Sequence, residues 1–152
     1  MKNYPGKSIV VLLVEDSIGD ARLTIEALKD GKIKNELHHV KDGVEAIEYL
    51  NHEGKFNADN APLPDVILLD LNMPRMDGRE TLQKIKENPR YSSIPVIILT
   101  TSKNELDIVK SYNLKANCYI TKPVDFEQFA NVVRDIEHFW FTIVSLPKTS
   151  LK

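Results

Sequence analysis

Short, wholly apolar runs alternate along this chain with longer segments whose apolar residues recur at helical spacing. Five runs have the length of a strand, and the second and fifth are the more polar: residues 9–14, 37–40, 66–69, 96–99 and 118–120. Runs that lack polar alternation are typical of parallel strands covered on both faces. The pattern therefore predicts a parallel sheet whose first, third and fourth strands are central and whose other two strands lie at the edges.

The segments that follow these runs begin with residues that can cap a helix. In each of them Asp or Ser is followed three residues later by Asp, Glu or Gln: Ser17/Asp20, Asp42/Glu45, Asp77/Glu80, Ser102/Glu105 and Asp125/Gln128. The first side chain of each pair can accept hydrogen bonds from backbone N–H groups of the first turn. Five strands that alternate with five helices predict the α/β class, a doubly wound (βα)5 parallel five-stranded sheet. The flavodoxin-like strand order 2-1-3-4-5 agrees with the predicted central and edge strands.

The length and composition are those of one globular domain. With 152 residues, 42% of them apolar and 28% charged, the chain can bury roughly 68–70% of its unfolded surface. We expect a single domain over residues 1–152, with a core of about 8–144 and a flexible tail at 145–152 that is too short for a DNA-binding output domain. Residues 53–64, which include one Gly and two Pro, predict a long loop before the third strand.

Charge, hydropathy and cysteine content exclude several classes of protein. Twenty Lys and Arg against 22 Asp and Glu give a net charge of −2 without a basic stripe, which argues against a nucleic-acid partner. The longest apolar run has six residues, far fewer than the ~20 that span a bilayer, so we expect no membrane insertion. Cys118 is the single cysteine and cannot form an internal disulfide, which is typical of a reducing, cytoplasmic compartment.

Polar side chains follow four of the five predicted strands. Glu15 and Asp16 come after the first strand, Asp70 after the third, Thr100 after the fourth and Lys122 after the fifth. Each residue alone is explained by a turn or by the surface. Ligands of open parallel sheets, however, bind beyond the carboxyl ends of the strands. The joint placement of these residues therefore predicts one shared site at that edge.

Three clustered carboxylates point to a cation. Two such charges about 4 Å apart repel by about 4 kcal/mol at an effective dielectric constant near 20, so the cluster is costly without a partner. Oxygen-only ligands favour Mg²⁺ over Zn²⁺. Beside Mg²⁺, Asp70 could attack phosphorus and form an acyl phosphate. Lys122 would then pair with one phosphoryl oxygen, and the Thr100 hydroxyl would donate to another.

Residues 70–78, which read DLNMPRMDG, resemble the phospho-acceptor motif of bacterial response-regulator receiver domains. The acidic pair, Thr100 and Lys122-Pro123 fall at the other signature positions of that family, and the resemblance covers residues 8–144. It implies a magnesium site made by Glu15, Asp16, Asp70 and the backbone carbonyl of Asn72. It also implies phosphate transfer to Asp70 from the phosphohistidine of a sensor histidine kinase, in a signalling domain and not a turnover enzyme.

The same resemblance implies a conformational switch and a docking surface. Tyr119 is similar to the switch aromatic of the family, which moves inward when Thr100 shifts toward the phosphoryl group. The kinase is expected to contact the first helix near residues 18–24. Thr101 stands where many relatives have alanine, and we expect it to alter the lifetime of the phosphoryl group.

A narrower resemblance is to the small regulators that partner cyanobacterial phytochromes. It is carried by the long loop, by residues 117–122 (NCYITK) and by the aromatic segment 139–144. A phytochrome is therefore a candidate kinase. Phe139, Trp140 and Phe141 span about 200° of a helix and cannot all face one core. They predict a homodimer formed through the last helix.

Other functions on the same fold need different residues. A magnesium-dependent phosphatase that forms an aspartyl phosphate would carry Asp-x-Asp, whereas Asn72 supplies an amide. A flavin carrier would need a phosphate loop rich in Ser, Thr and Gly after the first strand, where Glu15 and Asp16 stand. A receiver that is not phosphorylated would lack a signature residue, and none is missing. The alternative function of a receiver that relays or stores phosphate is left open by the sequence.

Overall fold

One parallel sheet of five strands organises the molecule. The computed structural model describes residues 8–29, 34–71, 73, 76–100 and 118–143, with side chains of the last helix described as far as Arg134. The strands are β1 (Ile9–Val14), β2 (Asn35–Val40), β3 (Val66–Asp70), β4 (Val96–Thr100) and β5 (Cys118–Thr121). Their order in the sheet is β2-β1-β3-β4-β5, and every neighbouring pair is parallel. The predicted order, with β2 and β5 at the edges, is confirmed.

Helices follow the first, second, third and fifth strands. They are α1 (Ile18–Lys29), α2 (Gly43–Asn51), α3 (Gly78–Glu87) and the last helix (Phe126–Ile143). The helix predicted to begin at Ser102 lies outside the described residues. Within the part of the chain that is described, no helix is both long and apolar enough to cross a membrane.

The caps of the four described helices are those predicted from the sequence. In each case a side-chain oxygen accepts a hydrogen bond from the backbone N–H three residues later, at 2.8–3.1 Å, and the accepting residues are Ser17, Asp42, Asp77 and Asp125. These bonds satisfy donors that the first turn of a helix leaves without a partner. They fix where each helix begins relative to the strand before it.

The two faces of the sheet bury separate clusters of side chains. Leu12, Ile67 and Ile98 pack on the face that is covered by α2 and α3. The residues that follow Leu12 and Ile67, Leu13 and Leu68, pack on the opposite face against α1 and the last helix. Because successive strand residues point to opposite faces, a strand covered on both sides must be apolar throughout. This explains the unbroken apolar runs of β1, β3 and β4.

Residues 53–64 form the predicted loop, and the loop is packed onto α2. The Tyr49 hydroxyl donates to the carbonyl of Pro62 at 2.8 Å, and the ring of His52 lies 2.8 Å from the carbonyl oxygen of Ala61. The ring of Phe56 lies 5.3 Å from that of Tyr49, measured between centroids. The loop therefore contributes to the core at the α2 side of the sheet.

Gly78 is required because α3 begins directly against the end of β3. Its N–H donates to the carbonyl of Leu71 at 2.9 Å. A Cβ at this position would lie 2.5 Å from the carbonyl oxygen of Asp70 and 2.5 Å from the Cα of Leu71. Only a residue without a side chain lets the backbone after Asp70 and the start of α3 approach this closely.

We predict that Gly78→Ala lowers the free energy of unfolding by at least about 2 kcal/mol, since backbone atoms must move to admit the methyl group. Gly19→Ala is the matched control, because a Cβ there would meet only the Ser17 hydroxyl, at 3.9 Å. The control should be neutral or stabilising by up to about 1 kcal/mol, the gain in helix propensity. Urea denaturation measures both, and equal effects of the two substitutions would contradict the packing argument.

Candidate functional site

Glu15 and Asp16 leave β1 side by side but lie in different environments. Glu15 is completely buried, whereas Asp16 is exposed. The N–H of Glu15 donates to the carbonyl of Val40 at 3.0 Å, and the Nε2 atom of His39 lies 2.8 Å from the carbonyl oxygen of Glu15. These contacts with the end of β2 hold the backbone of the acidic pair at the carboxyl edge of the sheet.

Asp70 is the last residue of β3 and is also buried. In the register of β1 and β3, Val14 is the partner of Leu69, so the residues that follow them, Glu15 and Asp70, come next to each other. One carboxylate oxygen from each of Glu15, Asp16 and Asp70 lies within 4.8 Å of the others. The structure therefore brings the three predicted carboxylates together.

Lys122 contacts two of these three acids. Its Nζ atom is 2.8 Å from Oε1 of Glu15 and 3.3 Å from Oδ1 of Asp70. The Lys122 side chain is 11% exposed. Its backbone N–H donates to the carbonyl of Thr100 at 2.9 Å, which extends the pairing of β5 with β4 and sets the position of the side chain.

The close approach of these charged side chains shifts the pKa values of Asp70 and Lys122. Burial, followed by the charge of Glu15, raises the pKa of Asp70 to about 7, although Lys122 opposes the shift. Burial alone would lower the pKa of Lys122, but its hydrogen bonds to carboxylates and their charges raise that pKa above its ordinary value. Without a further cation the site therefore has more negative charge than one ammonium group can balance.

The donor set fits a hard divalent cation. All three clustered ligands are carboxylate oxygens, the type of donor that Mg²⁺ and Mn²⁺ accept. The Oε1 atom of Glu15 is buried and, although Lys122 lies close to it, accepts no well-aligned hydrogen bond within the described residues. The nearby ammonium of Lys122 balances part of the charge on this oxygen. Coordination to a divalent cation would supply the aligned partner that a buried carboxylate oxygen needs.

Thr100 and Tyr119 occupy neighbouring strands beside the acids. Thr100 ends β4 and is buried. Tyr119 lies on β5 as the partner of Ile98 in β4, and its partly buried ring packs against the cluster on the α2 side of the sheet. The structure thus places both predicted switch residues at or near the site, and their movement stays a prediction.

Several predicted residues lie outside the described part of the chain. They are Asn72, Thr101 and the side chains of Phe139, Trp140 and Phe141. The backbone ligand, the effect on phosphoryl lifetime and the dimer surface therefore remain predictions from the sequence.

Asp20 is a residue of the site that sequence reasoning missed. Its backbone N–H donates to the Ser17 hydroxyl at 3.1 Å, as the cap predicts, but its carboxylate accepts a hydrogen bond from Lys122 at 3.0 Å. One sequence signal could have identified Asp20. It lies in the first turn of the helix after β1, and that helix begins at the edge of the sheet that carries the acids.

Comparisons with known proteins agree with this geometry. Residues 11–134 match the family described as the response regulator receiver domain. The response regulator Rcp1 of Synechocystis sp. is 48% identical over 138 residues, which cover 91% of this chain and 92% of Rcp1. The chain is thus similar to a protein of almost the same extent.

Solved structures give the same result. The bacteriophytochrome response regulator AtBRR matches with a TM-score of 0.81 and 41% identity, over 88% of this chain and 96% of AtBRR. The phosphorylated cyanobacterial phytochrome response regulator RcpA matches with a TM-score of 0.70 and 47% identity, over 89% of this chain and 95% of RcpA. The Mn²⁺-bound form of Rcp1 matches with a TM-score of 0.67 and 47% identity, over 90% of this chain and 96% of Rcp1.

The raised pKa of Asp70 predicts how stability depends on pH when divalent cations are removed with EDTA. The unfolded carboxyl titrates near pH 4 and the folded one near 7, so ionisation of Asp70 costs stability progressively as pH rises between these values. Asp70→Asn removes that cost. The variant should therefore gain about 2–3 kcal/mol in free energy of unfolding relative to the parent between pH 5 and pH 8.

Urea denaturation at the two pH values measures this difference. Asp59→Asn, in the exposed part of the loop, is the control and should show no such gain. Added Mg²⁺ at pH 8 should reduce the advantage of Asp70→Asn, since it stabilises only the protein that keeps the carboxylate. An advantage that does not change with pH would contradict the raised pKa of Asp70.

Proposed function

This chain belongs to the response regulator receiver domain family, and from that premise we propose that it is a phosphorylation switch that accepts phosphate on Asp70 from a sensor histidine kinase. The observation that carries the proposal is the contact of Lys122 with the buried Asp70 in the acidic cluster. A carboxylate beside a fixed ammonium and a candidate cation site has what it needs to receive a phosphoryl group.

The transfer is a displacement at phosphorus. An Oδ atom of Asp70 forms the new bond to phosphorus while the bond from phosphorus to the imidazole nitrogen of the kinase breaks, and the electron pair stays with the imidazole. The Lys122 ammonium balances negative charge on the phosphoryl oxygens, and the Thr100 hydroxyl donates to one of them. No proton has to leave Asp70 as long as it reacts as the carboxylate.

We propose that the resident cation is Mg²⁺, held by Glu15, Asp16, Asp70 and the backbone carbonyl of Asn72. When bound, it neutralises negative charge on the carboxylates and the transferred group. The carboxylate geometry and the Mn²⁺-bound form of Rcp1 support a divalent ion of this kind. The buried Oε1 atom of Glu15, which accepts no well-aligned hydrogen bond although Lys122 is 2.8 Å away, supports the same assignment.

The phosphoryl group is proposed to act on a two-state equilibrium. In the phosphorylated state Thr100 moves toward the new group, and the Tyr119 ring moves inward into the space that this movement leaves. The buried position of Thr100 and the half-buried position of Tyr119 support this coupling. The phosphoryl group shifts the equilibrium because it makes these contacts in only one of the two states.

We propose that the kinase docks on the first turns of α1. Ile18 and Leu23 are large apolar side chains that are 71% and 57% exposed there, which is typical of a contact surface. Ile18 is two residues from Asp16, so a partner bound to it would be close to Asp70. The similarity to AtBRR and RcpA supports a phytochrome as this kinase, and phosphotransfer profiling against the sensor kinases of the source genome would identify it.

Labelling with acetyl phosphate and Mg²⁺ tests the proposed phosphoryl acceptor. Asp70→Ala should reduce incorporation by at least about a hundredfold, because it removes the nucleophile. Asp59→Asn is the control and should label like the parent. Lys122→Ala should still label but show a weaker conformational response. Incorporation by Asp70→Ala at the parent rate would show that the assignment is wrong.

We also propose that the chain forms a homodimer through Phe139, Trp140 and Phe141, on the strength of their adjacency on one helix. Trp140→Ala should weaken dimerisation by at least about tenfold, because large aromatic anchors dominate interface energies. Leu23→Ala removes a different exposed apolar side chain and is the control. Sedimentation equilibrium measures both, and a monomeric parent at high micromolar concentration, with and without beryllofluoride, would exclude the dimer.

A further inference from the structure

Lys122 contacts a third carboxylate, which is not one of the three that can bind a metal. The carboxylate of Asp20, in the first turn of α1, lies 3.0 Å from Nζ. We propose that Asp20 is a positioning residue that holds the Lys122 ammonium when a divalent cation takes the oxygens of Glu15 and Asp70 that Lys122 contacts in its absence. This inference rests on the Mg²⁺ site of the proposed function, and it assigns Asp20 no contact with the metal.

The ammonium group divides its charge among three carboxylates. Its contact with Glu15 is the shortest, at 2.8 Å, and its contact with Asp70 is the longest, at 3.3 Å. The contact with Asp20 is a hydrogen bond of 3.0 Å to the first turn of α1. Two of the three partners of Lys122 are therefore also candidate ligands of the cation, and the third is not.

The carboxylates also differ in their access to a metal ion. Glu15, Asp16 and Asp70 form the group whose oxygens lie within 4.8 Å of one another, and Asp20 is not part of that group. The Asp20 side chain is 46% exposed, whereas that of Asp70 is 7% exposed. When a cation takes oxygens of Glu15 and Asp70, Asp20 is the anion that can stay with Lys122.

An ammonium group and a divalent cation compete for the same oxygens. Lys122 has three N–H donors and cannot leave them unpaired where it is mostly buried. Without Asp20, the ammonium would keep only Glu15 and Asp70 as partners. A cation that takes their oxygens would then leave Lys122 without an anion, and the affinity for the cation would fall. Asp20 thus gives the ammonium a partner that the cation does not take.

A double-mutant cycle tests the proposal by calorimetric titration with Mg²⁺. Asp20→Asn, which keeps the shape but removes the charge, should raise the dissociation constant roughly threefold to tenfold in the chain that contains Lys122. In the Lys122→Met background the same substitution should change the constant no more than a control does. Glu26→Gln is that control, because it removes an equal charge from α1 about 9 Å further along the helix.

The cycle distinguishes competition between Lys122 and Mg²⁺ for carboxylate oxygens from simple electrostatic attraction of Mg²⁺ by Asp20. If Asp20 merely attracts Mg²⁺ through space, its removal weakens binding equally in both backgrounds, and the proposal is overturned. It is also overturned if Asp20→Asn behaves like Glu26→Gln when Lys122 is present. Thermal unfolding in Mg²⁺ checks that each variant is folded.

A crystal structure covers the case in which Lys122→Met does not fold. In Asp20→Asn protein without divalent cations, Nζ of Lys122 should move away from α1 and lie closer to Asp70 than the 3.3 Å of the parent. An unchanged Nζ position would refute the proposal. These measurements require no phosphorylation, so they test the role of Asp20 separately from the proposed function. A protein that binds Mg²⁺ as expected but is not labelled on Asp70 would contradict the proposed function. The role of Asp20 in Mg²⁺ binding would not be affected.

Discussion

The structure depends on the balance of charge around one buried ammonium group. Lys122 lies within 3.3 Å of carboxylate oxygens from Glu15, Asp20 and Asp70. Carboxylates held this close repel one another strongly unless a positive charge lies between them. One lysine balances part of that charge, and burial together with the charge of Glu15 still raises the pKa of Asp70 to about 7. The site is therefore built to gain a cation.

The parallel sheet is what makes this crowding possible. The neighbouring strands β1, β3 and β4 end at one edge, so that residues far apart in the sequence meet there. Buried apolar residues on both faces hold the strands in register, and capped helices begin close to their carboxyl ends. Gly78 lets α3 start against the backbone of Asp70 and Leu71. The hydrophobic core thus provides the free energy that holds like charges together.

Under the proposed function, the same arrangement would link phosphorylation of Asp70 to signalling. A phosphoryl group on Asp70 would add charge and acceptor oxygens close to Lys122 and Thr100, which is how a local event can shift a packed element between two positions. The proposed kinase surface begins at the exposed Ile18, two residues after Asp16. The packed loop at 53–64 lies on the α2 side, as does the ring of Tyr119, and enlarges the core there.

The sequence by itself determined the strands, their central or edge position and the caps of the four described helices, because apolar periodicity and capping are local properties of the chain. It also determined that Glu15, Asp16, Asp70, Thr100 and Lys122 come together, since each follows a strand of one parallel sheet. Only the tertiary structure decided that Glu15 is buried while Asp16 is exposed, and that the loop folds onto Tyr49. It alone paired Asp20 with Lys122 across 102 residues. A local pattern assigns Asp20 to a cap. Which distant charge its carboxylate meets depends on how α1 packs against the sheet beside the last helix, which no short segment encodes.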